Sequence, residues 1–343
     1  MDSVTQFVLG AAIGEVTAGK NAGNKALFWG GVAGTIPDLD IIFRPFFTEL
    51  ENLSVHRGIS HSLIFAFITA PIIAWLVHLM YRRKNKVGYN EWLQLFFWGI
   101  FTHPLLDAFT LYGTQLFLPF NNFRVALNTV AIIDPLYTVP LIVVCIGAMM
   151  VRRNGWERSR KWALAGLWIS SAYLGLTCLH KWYLEGIFDR GLENQHIHPT
   201  AVMSNPVIFS NFLWCSVARD DSACYIGYYS ILQGNDHVKY DKFLKNEQLS
   251  NQIKDKAGYN KLRWFCKDYF ILEKRNDTLS FFDVRYGKSD FRPASDNERA
   301  FIFYFNIPDP QSEPLVIQQY ISRKDMNINR FFHQLGHRIF NEE

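Results

Sequence analysis

Ser62-Leu63-Ile64-Phe65-Ala66-Phe67-Ile68-Thr69-Ala70-Pro71-Ile72-Ile73-Ala74-Trp75-Leu76-Val77-His78-Leu79-Met80-Tyr81 carries no acidic residue, lysine or arginine, and Arg82-Arg83-Lys84-Asn85-Lys86 follows at once. A helix of about 20 such residues crosses a hydrocarbon core of roughly 30 Å. Three further runs share this apolar character, over residues 92–111, 130–151 and 162–182. Ahead of them lie two shorter apolar pieces, 4–18 and 26–37, joined by Gly19-Lys20-Asn21-Ala22-Gly23-Asn24. They read either as short tilted spans or as a re-entrant hairpin. Small residues stud both (Gly10, Ala11, Ala12 and Gly14; Gly30, Gly31, Ala33 and Gly34), and small faces let membrane helices approach closely.

After about Gly191 the pattern changes to alternation. Residues 214–219 and 224–229, separated by a turn at Asp220-Asp221, read as a hairpin, and 279–286 and 301–305 read as further strands. Residues 241–265 read as helical. The expected fold is therefore an α-helical membrane domain over 1–185, with four long spans and two short N-terminal helices, followed by a soluble α+β domain over 186–343. The mean hydropathy of −0.02 averages these two unlike halves.

Composition narrows the function. A net charge of +4 is small and its basic residues cluster in short loops, so nucleic-acid binding is not indicated. The start Met1-Asp2-Ser3-Val4 has no basic n-region, which argues against a removable signal peptide. The five cysteines form no zinc-type spacing, and Cys145 and Cys178, inside apolar runs, read as packing. The two most basic loops, 82–86 and 152–161, are separated by two spans and are assigned to the cytoplasm. Loops 38–61 and 112–129, and everything after residue 182, then fall on the outer face.

Polar residues gather in that same outer position. Pro37-Asp38-Leu39-Asp40, His56-Arg57-Gly58-Ile59-Ser60-His61-Ser62, Thr102-His103-Pro104-Leu105-Leu106-Asp107 and Ile133-Asp134-Pro135 all fall at one membrane face by loop charge alone. Each motif has a structural reading too: HxxxD is commonly a hydrogen-bonded pair, and Asp-Pro a helix opener. Ionisable groups at membrane depth cost about 2.5–3.5 kcal/mol each on insertion scales, which favours a functional reading of the set. His103 and Asp107, four apart, share a helix face. His56 is expected in a loop and His61 in the first turn of the next helix, capped by Ser60 or Ser62. Asp38 and Asp40, alternating past a proline, are expected to aim at one pocket from an extended segment. Imidazoles and carboxylates without thiolates suit Zn²⁺ first, with Mn²⁺ or Fe²⁺ as alternatives, in one or two ions. Asp40 or Asp134 could serve as general base, and Arg57 could hold an anionic substrate group or a lipid headgroup.

These motifs, with Met1-Asp2-Ser3-Val4-Thr5-Gln6 and Gly34-Thr35-Ile36-Pro37-Asp38-Leu39-Asp40, resemble the YdjM-type family of bacterial inner-membrane proteins, described as membrane-bound metal-dependent hydrolases. The resemblance covers roughly residues 1–185. It implies an inner-membrane location and a metal site of Asp38, Asp40, His56, His61, His103 and Asp107, and it places Gln6 where many members have a histidine. A site at the lipid/water boundary favours an amphiphile, so the leading expectation is hydrolysis of a lipid-linked or envelope substrate, a phosphoester before an amide or ester. The competing readings are an ion or metal transporter, and a non-catalytic membrane anchor for the C-terminal domain. Unlike halves and a cluster at one end argue against the transporter.

Overall fold

The computed structural model describes residues 1–83, 87–234, 237–275, 278–288, 301–321 and 328–340; Lys84, Asn85 and Lys86 of the first basic loop lie outside them. The chain divides into two compact units, Met1–Arg44 with Val55–Cys178, and Pro45–Ser54 with Leu179–Glu343. The expected division at 185/186 thus falls a few residues late, and the short segment Pro45–Ser54 belongs with the second unit.

The first unit is helical. Asp2 caps α1 (Ser3–Ala22) by accepting from the Thr5 amide. The chain reverses at Gly23, whose φ of 66° suits glycine, into α2 (Asn24–Thr35), which runs on as a 3₁₀ segment, Ile36–Phe46. The short helix α3 (Glu49–Val55) follows. Ser62 caps α4 (Leu63–Tyr81), accepting from Phe65 N, as its position suggested. His61 lies just before that helix, in the 3₁₀ turn Ile59–His61, rather than in its first turn. Next come α5 (Tyr89–Asp107), α6 (Pro135–Val151) and α7 (Trp156–Asn194). Four helical stretches among the described residues are long and apolar enough to cross a membrane: Asn24–Phe46, Leu63–Tyr81, Pro135–Asn154 and Trp156–Asn194. The second short piece is therefore longer than expected, because the 3₁₀ segment extends it. Run 92–111 is helical as α5 but more polar than these four. Run 130–151 becomes helical only at Pro135, where Asp134 caps and proline suits the first turn.

The first two helices pack backbone to backbone. A Cβ built on Gly10 would collide with the Gly30 carbonyl, on Gly14 with that of Ala26, and on Gly34 with that of Gln6. Gly10 and Gly14, like Gly30 and Gly34, are four apart, the spacing that lets helices approach closely in lipid. At Gly99 of α5 a Cβ would press on Ala33 of α2 at 2.6 Å, so α5 rests on the same stripe.

The second unit contains two antiparallel four-stranded sheets. The first runs β1 (Ala201–Pro206), β2 (Leu213–Arg219), β3 (Ala223–Ser230) and β4 (Tyr240–Leu244); the second runs β5 (Phe270–Arg275), β6 (Thr278–Asp283), β7 (Phe303–Ile307) and β8 (Gln318–Ile321). The expected hairpin is β2–β3, closing with Arg219 opposite Cys224. The expected helix over 241–265 is shorter: its first residues form β4 on the edge of β3, and α8 (Lys256–Cys266) begins where Asp255 caps it. Leu184, Ile187, Phe188 and Leu192 of α7 share a core with Trp214 and Tyr229 of the first sheet. The amphipathic α9 (Ile328–Phe340) ends the described chain.

If the glycine stripe sets the α1–α2 approach, Gly30→Val should destabilise the detergent-solubilised protein by about 1–3 kcal/mol through overpacking. Gly175→Ala, on α7 with nothing near its Cβ, should not. Equal thermal midpoints for Gly30→Val and wild type would contradict the close packing.

Candidate metal centre

The site starts from two imidazoles whose tautomers are set by their neighbours. His103, on α5, places Nδ1 2.5 Å from the Gly34 carbonyl oxygen of α2. A carbonyl only accepts, so Nδ1 carries the proton and Nε2 presents a lone pair. His61 Nδ1 lies 2.9 Å from Ser60 Oγ, which donates onward to Asp40 Oδ2 at 3.1 Å. Ser60 spends its proton on the carboxylate and so accepts from His61, whose Nε2 is likewise a lone pair.

The two Nε2 atoms lie 3.2 Å apart, and Asp38 Oδ1 is 3.4 Å from each. A tetrahedral zinc with bonds of about 2.0–2.2 Å sets its donor atoms about 3.3–3.6 Å apart, so these three atoms form a face of such a polyhedron. Asp107 Oδ2 stands 3.7 Å from His61 Nε2 and 3.9 Å from His103 Nε2, at the edge of the group. Both histidines are fully buried, and burial lowers the His61 pKa to about 4 against the opposing pull of Asp38, which keeps the ring neutral and ready to ligate. Asp38, His61 and His103 are thus a group able to hold one divalent cation, and the donor set fits zinc, manganese or iron.

A second layer surrounds them. Gln6 Nε2 donates to Asp107 Oδ1 at 3.0 Å and to the His103 carbonyl at 3.2 Å. The amine of Met1 also contacts Asp107 Oδ1. Arg57 is 5% exposed, with Nε 3.0 Å from Asp107 Oδ2, Nη1 on Thr110 Oγ1 at 2.9 Å, and its guanidinium over the Tyr112 ring. It is therefore turned inward onto Asp107, an arrangement that suits balancing a buried carboxylate more than gripping a ligand.

The remaining expected residues are placed elsewhere. Asp38 and Asp40 sit in the 3₁₀ segment rather than an extended one, and at three residues per turn side chains two apart diverge. Asp38 faces the imidazole pair, whereas Asp40 bonds His56 Nδ1 at 3.1 Å, the Arg57 amide at 3.1 Å and Ser60. His56, its side chain 30% exposed, pairs with Asp40 and stands outside the three-residue donor group. Asp134 is used as a cap for the Leu136 amide and accepts from the Tyr173 hydroxyl at 2.8 Å, while burial pushes its carboxyl up. His180 bonds Asn211 in the second unit. Thr110 and Tyr112 lie outside the motifs and only the folded chain brings them to Arg57, while Ser60 and Gly34 lie within the motifs but their bonds to the imidazoles have no signal in the spacing.

Removing a donor should remove the ion. Asp38→Ala, His61→Ala and His103→Ala should each abolish stoichiometric zinc in protein purified in mild detergent, measured by elemental analysis. Ser60→Ala, which removes the hydrogen-bond partner of His61 Nδ1 and one bond to Asp40 but no donor to the ion, should weaken zinc affinity about 10–100-fold. Asp134→Asn and His78→Ala should change nothing. Equal zinc in wild type and His61→Ala would contradict the assignment.

Residues 1–183 match the profile of the family described as YdjM inner membrane protein. Among curated proteins, the chain is 30% identical over 146 residues to an uncharacterized protein of Bacillus subtilis, YfhP, covering 39% of this chain and 42% of the relative. It is 29% identical over 110 residues to the inner membrane protein YbcI of Escherichia coli, covering 32% of this chain and 61% of that relative. The alignments thus span less than two thirds of either relative's length. No solved structure matches. With the family profile covering more than half of its residues, the chain belongs to the YdjM inner membrane protein family.

Proposed function

We propose that this protein is a membrane-embedded, metal-dependent hydrolase acting on a phosphoester of a lipid-linked or envelope substrate. The observation that carries this reading is the convergence of Asp38 Oδ1, His61 Nε2 and His103 Nε2 within 3.4 Å, with both imidazole lone pairs turned inward. A divalent ion held there would polarise a phosphoryl oxygen and lower the pKa of a water toward about 7.

The surrounding residues supply the rest. Asp107 lies beside the imidazole pair, and Gln6 and Arg57 hold it in place. The Asp40 carboxylate keeps His56 Nδ1 protonated and directs the free ring nitrogen away from itself, so that His56, the partly exposed member, is the group placed to accept a proton. Asp40 is then a positioning residue. Asp134 has the role of a helix cap that ties α6 to Tyr173.

Location follows from family and composition: the family is one of inner membrane proteins, and apolar spans are present. The basic loops at 82–86 and 152–161 support cytoplasmic placement of those turns, and hence an outward-facing donor cluster and second unit. The reading includes the bilayer as partner and no nucleic acid.

Lipid-linked phosphates offered to the zinc-loaded protein, with released phosphate followed by mass spectrometry, should be cleaved. His56→Gln and Asp40→Asn should slow turnover about 10²–10⁴-fold while retaining zinc. Unchanged turnover in both variants would remove the Asp40–His56 pair from the mechanism, and a reporter fused after residue 120 that reads as cytoplasmic would reverse the orientation.

A further inference from the structure

The loop between α5 and α6 turns apolar side chains outward and its charge inward. Residues 113–130 contain one charged residue, Arg124, whose guanidinium lies 4.5 Å over the Tyr112 ring and whose Nη2 reaches the Gly113 carbonyl at 3.4 Å. Phe117, Phe120, Phe123 and Leu127 are instead 43–84% exposed. So many large apolar side chains exposed on one short loop mark an interaction surface. Several of the loop's amides find partners within it. Thr114 and Val125 exchange both backbone bonds at 2.9 Å and close its base, the Phe120 and Asn121 amides donate to the Phe117 carbonyl, and the Phe123 amide donates to Asn121 Oδ1 at 2.7 Å. Backbone satisfied in this way can leave water at low cost.

Backbone bonds to two helices fix the level at which the loop sits. The amide of Leu63, the first residue of α4, donates to the Leu116 carbonyl at 3.0 Å. The Leu127 and Thr129 amides donate to the Ala108 and Phe109 carbonyls, just past the end of α5. The α4 helix is one of the apolar spans, and its exposed Phe67 and Ile68 follow Leu63 by about one turn. The apolar loop is therefore continuous with the exposed face of a membrane span, at the end where that span begins. The same bonds tie it to the metal centre: the Gln115 amide donates to the Arg57 carbonyl, His61 lies two residues before Leu63, and Asp107 directly precedes Ala108.

We propose that this loop is an interfacial wedge, with Phe117, Phe120, Phe123 and Leu127 entering the headgroup–acyl boundary of the bilayer and holding the His61 end of α4 at headgroup depth. The occupant of the surface is bilayer lipid. An uncharged aromatic crest suits that boundary, where amphipathic elements bury Phe and Leu about 5–10 Å deep. The proposal rests on the membrane location of the family and its apolar spans, not on the hydrolase reading.

The test places a nitroxide spin label on the loop of the full chain in vesicles of phosphatidylethanolamine and phosphatidylglycerol. Cys178→Ser removes the exposed cysteine and leaves four buried ones, so that an added cysteine takes the label. Asn122→Cys keeps every apolar side chain of the crest, while Ile72→Cys on the exposed face of α4 and Asp221→Cys at the exposed β2–β3 turn give the lipid and water references. Collisions with oxygen, which concentrates in hydrocarbon, and with a water-soluble nickel chelate report the surroundings. The oxygen-to-nickel ratio at 122 should lie several-fold above that at 221 and towards that at 72. Replacing Phe117, Phe120 and Phe123 together by Ser should return the label at 122 to the value at 221 while leaving that at 72 unchanged, which reports a retained fold. A ratio at 122 equal to that at 221 would overturn the proposal and leave the loop in water. Low collision rates with both reagents would overturn it in favour of a protein cover, such as a second copy of the chain. A lipid-like ratio that survives the triple replacement would remove the phenylalanines as the anchor. The Asn122→Cys reading decides insertion by itself if the triple variant fails to fold.

Discussion

Two imidazole lone pairs face each other across 3.2 Å in the interior of the first unit, and the surrounding structure holds them there. Neither ring can turn away cheaply. His103 would give up its bond to the Gly34 carbonyl, and His61 would leave the Ser60–Asp40 relay. Facing lone pairs repel unless a proton or cation lies between them, and Asp38 adds negative charge at the same point. The close helix packing serves this geometry. Gly34 reaches His103 because α2 lies against both α1 and α5, which the stripe of Gly10, Gly14, Gly30 and Gly99 permits.

Charge completes the argument. Asp38, Asp40 and Asp107 meet the Arg57 guanidinium and the Met1 amine, both on Asp107, so neither cation pairs with Asp38 or Asp40. Carboxylates at membrane depth are costly without compensation, so a divalent ion is the simplest partner for the remaining charge. The Glu15–Arg152 pair, where Arg152 also reaches the Gly19 carbonyl, shows the opposite case: a buried acid balanced within the chain. That pair joins α1 to the end of α6 and holds none of the imidazoles.

Local pattern made several parts of this site legible. The i, i+4 spacing brings Asp107 to 3.9 Å from His103 on one helix face, and Ser62 caps α4 from the position its sequence suggested. Loop charge alone grouped Asp38, His61 and His103 at one membrane face, together with Asp40, His56, Asp107 and Asp134. Spacing could not reveal that residues 36–46 coil into a 3₁₀ segment, so that Asp38 faces the His61–His103 pair while Asp40 bonds His56 and, through Ser60, the far side of His61. Nor could it separate Asp134, a polar residue at the same end of the helices, whose carboxylate is taken by backbone amides and Tyr173. In the second unit, alternation around Asp220-Asp221 revealed the β2–β3 hairpin, whereas Tyr240–Leu244 became a strand only by pairing with the edge of β3, a tertiary choice with weak local signal.

X-ray absorption at the zinc edge of the purified, zinc-loaded protein reads the first shell directly. The account predicts a low-coordinate shell of nitrogen and oxygen at about 2.0–2.2 Å, with the outer-shell signature of two imidazoles and no sulfur near 2.3 Å. The same spectrum from His103→Ala should lose one imidazole. A sulfur shell, or a spectrum of hydrated zinc unchanged by His103→Ala, would contradict the claim that Asp38, His61 and His103 hold the ion.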